Sequence, residues 1–452
     1  MRSRAANAES RLSLWRRVRE FAVPPSMIES ATARRRAGDW AGACAAAGVD
    51  VDLDLRSLAR THGRELAARV RSDLRQLAPD LLRWHLPRIA PDGLLRPGLT
   101  VALARYEVAG AAVHLVARTP PAWADAGQRF GLALWPGSGD RRHPHPHPDR
   151  RFRLDLHRHL WDAGRAGELR IRSGADRQPA DAGPATDPLG AVPRELGCAV
   201  DRWAAEAAIL LRAEGRTDGA VTVRLGGRRR LVLHGLAGGA GLRVESAAGR
   251  GRAAALPVLP DAATWVPPDL ELLRDGLIDV DRLHPLVASA LVTGDRAAGP
   301  APVPDGRGQP RLVQCRGARH RIGLVDGVLA ALDHDPAEIR REELLVALSG
   351  TPLPCLRAID EAHRRPECLD DVRARLDHGD TAGALATVEG LLGPDALLRA
   401  GALREELETA AQRRVTYGLF RAGLAGRGPG PAASDRRRTR DRRSRPRHAL
   451  PR

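Results

Sequence analysis

The run His143-Pro144-His145-Pro146-His147, followed by Asp155, His157 and His159, comes nearest in residue type to a metal centre. If residues 151–159 form one strand, Asp155, His157 and His159 share its polar face at a period of two. Two histidines and a carboxylate are ligand types of a non-haem iron or zinc site. Alternate residues of one strand stand ~6.5 Å apart, however, so chelation by three successive ones is awkward. A solvated strand face beside a low-complexity loop accounts for the same residues. A metal-dependent enzyme using Asp155, His157 and His159 is kept as an alternative.

Other chemically able residues are weaker. Cys355, His363, Cys368 and His378 are ligand types, but their spacing matches no zinc finger and no Cys-x-x-Cys occurs. Asp333-His334-Asp335 reads as the entry to a helix rather than an acid–base pair. Gly249-Arg250-Gly251-Arg252-Ala253-Ala254 loosely matches a dinucleotide fingerprint. Pro257 and Pro260 leave no room for the helix whose N-terminus would hold pyrophosphate. Neither a Gly-x-Ser-x-Gly elbow nor a His-Glu-x-x-His occurs. The chain has no lysine, so all 72 residues of the Lys+Arg class are arginine. P-loop, kinase, Schiff-base and Ser-x-x-Lys chemistries are thereby excluded in their usual forms. No catalytic or cofactor-binding set is assigned, no cofactor is implied, and the reading leans away from an enzyme.

The formal net charge of +17 points toward a polyanion partner. Arg436, Arg437, Arg438, Arg440, Arg442, Arg443, Arg445 and Arg447 crowd into the tail, an arm suited to non-specific, salt-sensitive binding of nucleic acid. No aromatic interleaves them to stack on bases. Asn appears once, at Asn7, while Ala, Arg, Gly and Pro are inflated, which is the mark of GC-rich coding. Part of the positive charge therefore reflects coding bias. The five cysteines, Cys44, Cys198, Cys315, Cys355 and Cys368, are odd in number and scattered, which predicts reduced thiols and a cytoplasmic location. The N-terminal residues carry charge throughout and lack the apolar run of a signal peptide. No apolar run is long enough to span a membrane.

The elements around these residues predict a multidomain α+β fold. Helical N-terminal and C-terminal regions flank antiparallel β-rich middle segments. Residues 1–92 read as helical, with a helix–Gly38–Asp39–helix hairpin in which Asp39 caps the second helix. Ser26 and Glu29 suggest a capping box for the first. Residues 49–55 alternate as a short strand, with Asp50, Asp52 and Asp54 on one face, and Asp54 caps the next helix. A single apolar stripe from Leu55 to Leu77 predicts that this helix is long, with His62 on its buried side.

Residues 93–174 alternate with period two at 99–103, 113–117, 130–134, 152–156 and 169–171, which predicts a five-stranded meander. Residues 175–194 are a linker. Residues 195–293 form a small α+β region with a helix at 200–212, strands at 220–225, 230–234 and 242–246, and a helix capped by Asp269. Residues 294–310 are a second linker. Residues 311–425 begin with a hairpin turning at Arg316-Gly317 and are helical thereafter. Asp335-Pro336-Ala337-Glu338 marks a helix start, and Gly379-Asp380 repeats the helix–Gly–Asp–helix pattern. Residues 426–452 read as a disordered Arg-rich tail.

The two Gly-Asp hairpins resemble, in style, single units of a tetratricopeptide-like array. A ~34-residue period and a run of three units are both missing, so no family is assigned. With no convergent catalytic set, the sequence favours a non-catalytic protein–protein interaction or scaffold role, with another protein as partner. A nucleic-acid-associated role through the tail is the other alternative.

Overall fold

The computed structural model describes residues 4–108, 110–136, 147–176, 192, 196–226, 229–235, 243–246, 255–292, 310–350 and 352–424. The Arg-rich tail, the 249–254 glycine run, His143, His145 and almost all of both linkers lie outside the described residues. The fold is a mixed α+β one, and the chain divides into two compact units. Among the described residues, the first comprises those up to Trp123 and those from Arg129 to Val292; the second comprises Ala124–Gln128 and those from Pro310 to Leu424. Among the described residues, no helix is long and apolar enough to cross a membrane.

The first unit opens with helices Arg4–Phe21, Pro25–Arg36 and Trp40–Ala46. Pro25 takes the first position of its helix and Pro24 precedes it, so Ser26 is inside the helix and does not cap it. Strand β1 (Val49–Asp52) comes next, and Asp54 accepts the backbone N–H groups of Arg56 and Ser57 as expected. The predicted long helix divides at Gly63, whose φ of +93° no helix accommodates, into Leu55–His62 and Arg64–Gln76. That break turns His62 out to solvent, contrary to its expected place in the core.

Helix Pro79–His85 and the short pair β2 (Arg88–Ile89) and β3 (Leu94–Leu95) lead into β4 (Thr100–Val108), β5 (Ala111–Arg118) and β6 (Phe130–Pro136). These three are antiparallel, and β1 joins the edge in parallel to β6, giving the order β1-β6-β5-β4. The meander stops there. Residues 152–156 make only an isolated bridge, Arg153 with Ala102 of β4, and otherwise turn, with Phe152 N–H donating to the Asp149 carbonyl and His157 N–H to that of Leu154. Residues Leu169–Ser173 form a helical turn, and Ile171 is exposed. Period-two apolar residues also suit a compact irregular chain that anchors Phe152, Leu154 and Trp161 in a core shared with the helices.

That core runs from Leu14 to Leu291 and includes side chains from the predicted helical, meander and small α+β regions, so these are parts of one body. A second core joins Trp203, Leu210 and Leu211 of helix Trp203–Ala213 to the sheet β7 (Val221–Arg224), β8 (Arg230–His234) and β9 (Arg243–Ser246). Helices Asp261–Thr264, Pro268–Arg274 and Pro285–Leu291 close the unit. Asp269 does not cap its helix; it is buried and bonded to Arg19 and Trp84.

In the second unit, β10 (Arg311–Cys315) and β11 (Ala318–Val325) turn at Arg316 and Gly317, both with positive φ, as a two-residue hairpin requires. A third strand, β12 (Val328–Ala331), extends the sheet where helix alone was expected. The helices are Pro336–Ser349, Pro354–Arg364, Leu369–His378, Thr381–Leu392 and Ala402–Arg421. Asp335 caps the first by accepting the Ala337 N–H.

The two Gly-Asp corners share one construction. Gly38 and Gly379 adopt φ of +79° and +88°. Asp39 and Asp380 then accept the N–H of Gly42 and Gly383 at 2.8 and 2.9 Å. Arg34 and Arg375, each five residues before its aspartate, donate to it at 3.0 Å. A Cβ on Gly42 or Gly383 would lie 1.9 or 2.1 Å from the capping carboxylate, which explains the small residue there. Replacing Asp380 by alanine is expected to cost ~1 kcal/mol, readable as a lower denaturation midpoint.

Candidate functional site

The first unit encloses a cavity of about 230 Å³ whose wall is built from several separated stretches of sequence. Helix Arg4–Phe21 contributes Arg11, Trp15 and Arg19, four residues apart and so on one face, with Leu14 beside them. His85 ends helix Pro79–His85, and Arg88 and Arg96 come from the β2–β3 region. The irregular stretch after β6 supplies Arg151, Phe152, His157 and His159; Arg172, Asp261 and Trp265 complete the charged and aromatic parts of the wall. Six arginines and three histidines therefore face one small space with a single carboxylate, Asp261.

Most of these cations are held by hydrogen-bonded partners. Arg11 pairs with Glu271. Arg19 grips Asp269 through Nε (2.7 Å) and Nη2 (2.9 Å) and donates from Nη1 to the Trp84 carbonyl (2.6 Å). Arg151 makes a two-point pair with Asp261, at 3.2 and 2.6 Å. Arg172 makes one with Glu206 and also donates to the Leu156 carbonyl. Arg88 donates to the carbonyls of Arg83 and Gly93. A guanidinium has five N–H donors, so a two-point pair fixes its plane and leaves donors for a ligand.

The histidines are set by burial. Burial pulls the His85 imidazole down to about 4; Asp269 opposes this, while Arg19 and His284 reinforce it. Its Nδ1 lies 3.1 Å from the carbonyl oxygens of Leu81 and Leu160, which makes Nδ1 the protonated nitrogen of the neutral ring. Burial likewise holds His159 well below 6.5, with His157, Arg172 and His85 adding to the effect. His159 Nδ1 is buried and has no hydrogen-bond partner, although it belongs to a residue of the cavity wall. Burial alone would raise the Glu206 carboxyl, but His157 and Arg172 beside it bring it down to about 2. Glu206 is thus an anion that anchors the wall.

The structure treats the sequence candidates differently. His157 and His159 are buried in the cavity wall, with rings 5.8 Å apart edge to face, and do not lie on a solvated strand. Asp155 is turned into a two-point pair with Arg153. Among the described residues, only one group of three His, Cys, Asp or Glu residues brings its donor atoms within 4.8 Å of one another. It does not contain Asp155, His157 or His159. His147 packs its ring on Trp135 at 4.7 Å. The arginines of the wall carry no motif that sequence reading could find. The one legible signal is the spacing of Arg11, Trp15 and Arg19.

The chain matches no protein-family model, no curated protein and no solved structure. Its function rests on the chemistry of its own residues. At about 230 Å³ the cavity is smaller than the ~300–1,000 Å³ of drug-sized sites and has room for a small molecule. The cationic donors would hold an anionic group, while Leu14, Trp15, Phe152 and Trp265 offer an apolar or aromatic body its contacts.

Proposed function

We propose that the first unit binds a small organic anion in this cavity, one carrying a carboxylate, sulfate or phosphate on an apolar or aromatic body. The observation that carries the reading is the wall itself: six arginines line about 230 Å³, and the guanidinium donors left over by the pairs with Glu271, Asp269, Asp261 and Glu206 are the ones an anionic group would take, beside the neutral imidazoles of His85 and His159. The unpartnered Nδ1 of His159 supports it, because a buried polar atom without a partner is costly unless a ligand or water satisfies it. The interaction role expected from the sequence has a lesser basis in the second unit, where helix Pro336–Ser349 exposes Leu344, Leu345 and Leu348.

The test is a titration with anilinonaphthalenesulfonate, an aromatic anion, followed through quenching of tryptophan fluorescence. Saturable binding at one site is expected, weakening as salt is raised. Arg96→Gln should raise Kd about tenfold, the effect of one charge-assisted hydrogen bond. Equal binding of the uncharged anilinonaphthalene, or no response to Arg96→Gln, would overturn the reading.

A further inference from the structure

We propose that Cys315, His334 and Cys355 of the second unit bind a Zn²⁺ ion. Cys315 ends β10, Cys355 lies in the first turn of helix Pro354–Arg364, and His334 immediately precedes the capping Asp335. One donor atom from each lies within 4.8 Å of the other two. Zinc–sulfur and zinc–nitrogen bonds of ~2.3 and ~2.1 Å place tetrahedral donors ~3.5–4 Å apart, so closure on the ion needs side-chain movement of at most about an ångström.

The surroundings suit a cation. Both cysteines have 0% exposure, and the His334 side chain has 4%. His334 Nδ1 lies 3.5 Å from Glu338 Oε2, and Arg316 holds the other Glu338 oxygen. His334 Nε2 is buried without a hydrogen-bond partner. A carboxylate on one ring nitrogen and a vacant lone pair on the other is how metal-bound histidines are oriented. The His320 ring stacks on His334 at 4.3 Å and 13°, fixing its plane. Thiolate and imidazole donors select zinc over magnesium or calcium.

On binding, the two thiols release two protons and form two Zn–S bonds. The neutral imidazole supplies a third bond and a water the fourth. The ion would tie a hairpin end, a turn and a helix start around a small core of Cys315, Ile322, Leu353, Cys355 and Ile359.

The experiment uses the full chain, reduced and stripped with chelator, titrated with Co²⁺ and then Zn²⁺. Expected are one Co²⁺ per chain, thiolate-to-cobalt charge-transfer bands with tetrahedral d–d bands, and displacement by one Zn²⁺. Cys315→Ser and Cys355→Ser should lose the bands, whereas Cys198→Ser and Cys368→Ser keep them. Glu338→Gln should weaken affinity ~10–100-fold, as loss of an orienting partner does. The bands of the unmodified protein report sulfur ligation even where a variant fails to fold. No stoichiometric uptake, bands that survive both cysteine variants, or a Cys315–Cys355 disulfide in protein purified without reductant would each overturn the proposal.

Discussion

Asp269→Ala is expected to destabilise the first unit by ~3–5 kcal/mol, the cost of leaving one partner of a buried ion pair alone. Arg19 and Asp269 each have side chains only 1% exposed. The carboxylate takes both Arg19 bonds and faces Trp84 Nε1 at 3.2 and 3.3 Å. The Arg19 guanidinium also lies over the Trp84 ring, 4.3 Å from its centre. Removing the carboxylate strands a cation and an indole N–H in the core. Urea unfolding would show this as a lower midpoint. Arg19→Leu combined with Asp269→Leu should recover most of the loss, because no uncompensated charge remains. A single-variant loss under 1 kcal/mol would mean that water reaches the pair.

The second large effect is a loss of stability in mild acid. The His85 pKa in the folded chain is about 4, below its ordinary 6.5, because burial disfavours the imidazolium. The unfolded chain therefore takes up the proton first as pH falls. The His85 contribution is full above 6.5, declines between 6.5 and about 4, and is lost below that. The contribution of His85 is ~3 kcal/mol. His159, held well below 6.5 by the same cause, acts in the same direction. Glu206 keeps its charge in the folded chain down to about 2, so its own contribution is lost further down, from about 4.5 to about 2. His85→Asn should flatten the curve of unfolding free energy against pH; an unchanged slope would show that His85 charges freely in the folded state.

Much of the local structure was legible because its causes are local. The Gly38-Asp39 and Gly379-Asp380 corners arise from a left-handed glycine and a capping carboxylate three residues from the N–H it accepts. The hairpin at Arg316-Gly317 and the helix start at Asp335-Pro336 arise from turn and cap chemistry. Period-two spacing was a weaker guide. It found β4, β5 and β6 but misread residues 152–156 and 169–171, where apolar residues anchor an irregular segment and a short helix. Asp269 came after a proline at a helix start and so read as a cap, yet its carboxylate turned inward to meet Arg19, 250 residues away in sequence.

The amino-acid sequence by itself settled the α+β class, the helix–Gly–Asp–helix corners and the exclusion of lysine chemistry. Each depends on residue type and on neighbours a few positions away. Tertiary structure alone decided the rest. It gathered Arg11, His85, Arg151, His159 and Arg172 around one cavity, and it set Cys315 beside Cys355 across a sheet and a helix. The physical reason is that burial and convergence belong to the packed chain. An arginine or cysteine is the same residue in the sequence whether folding leaves it in water or points it at a ligand.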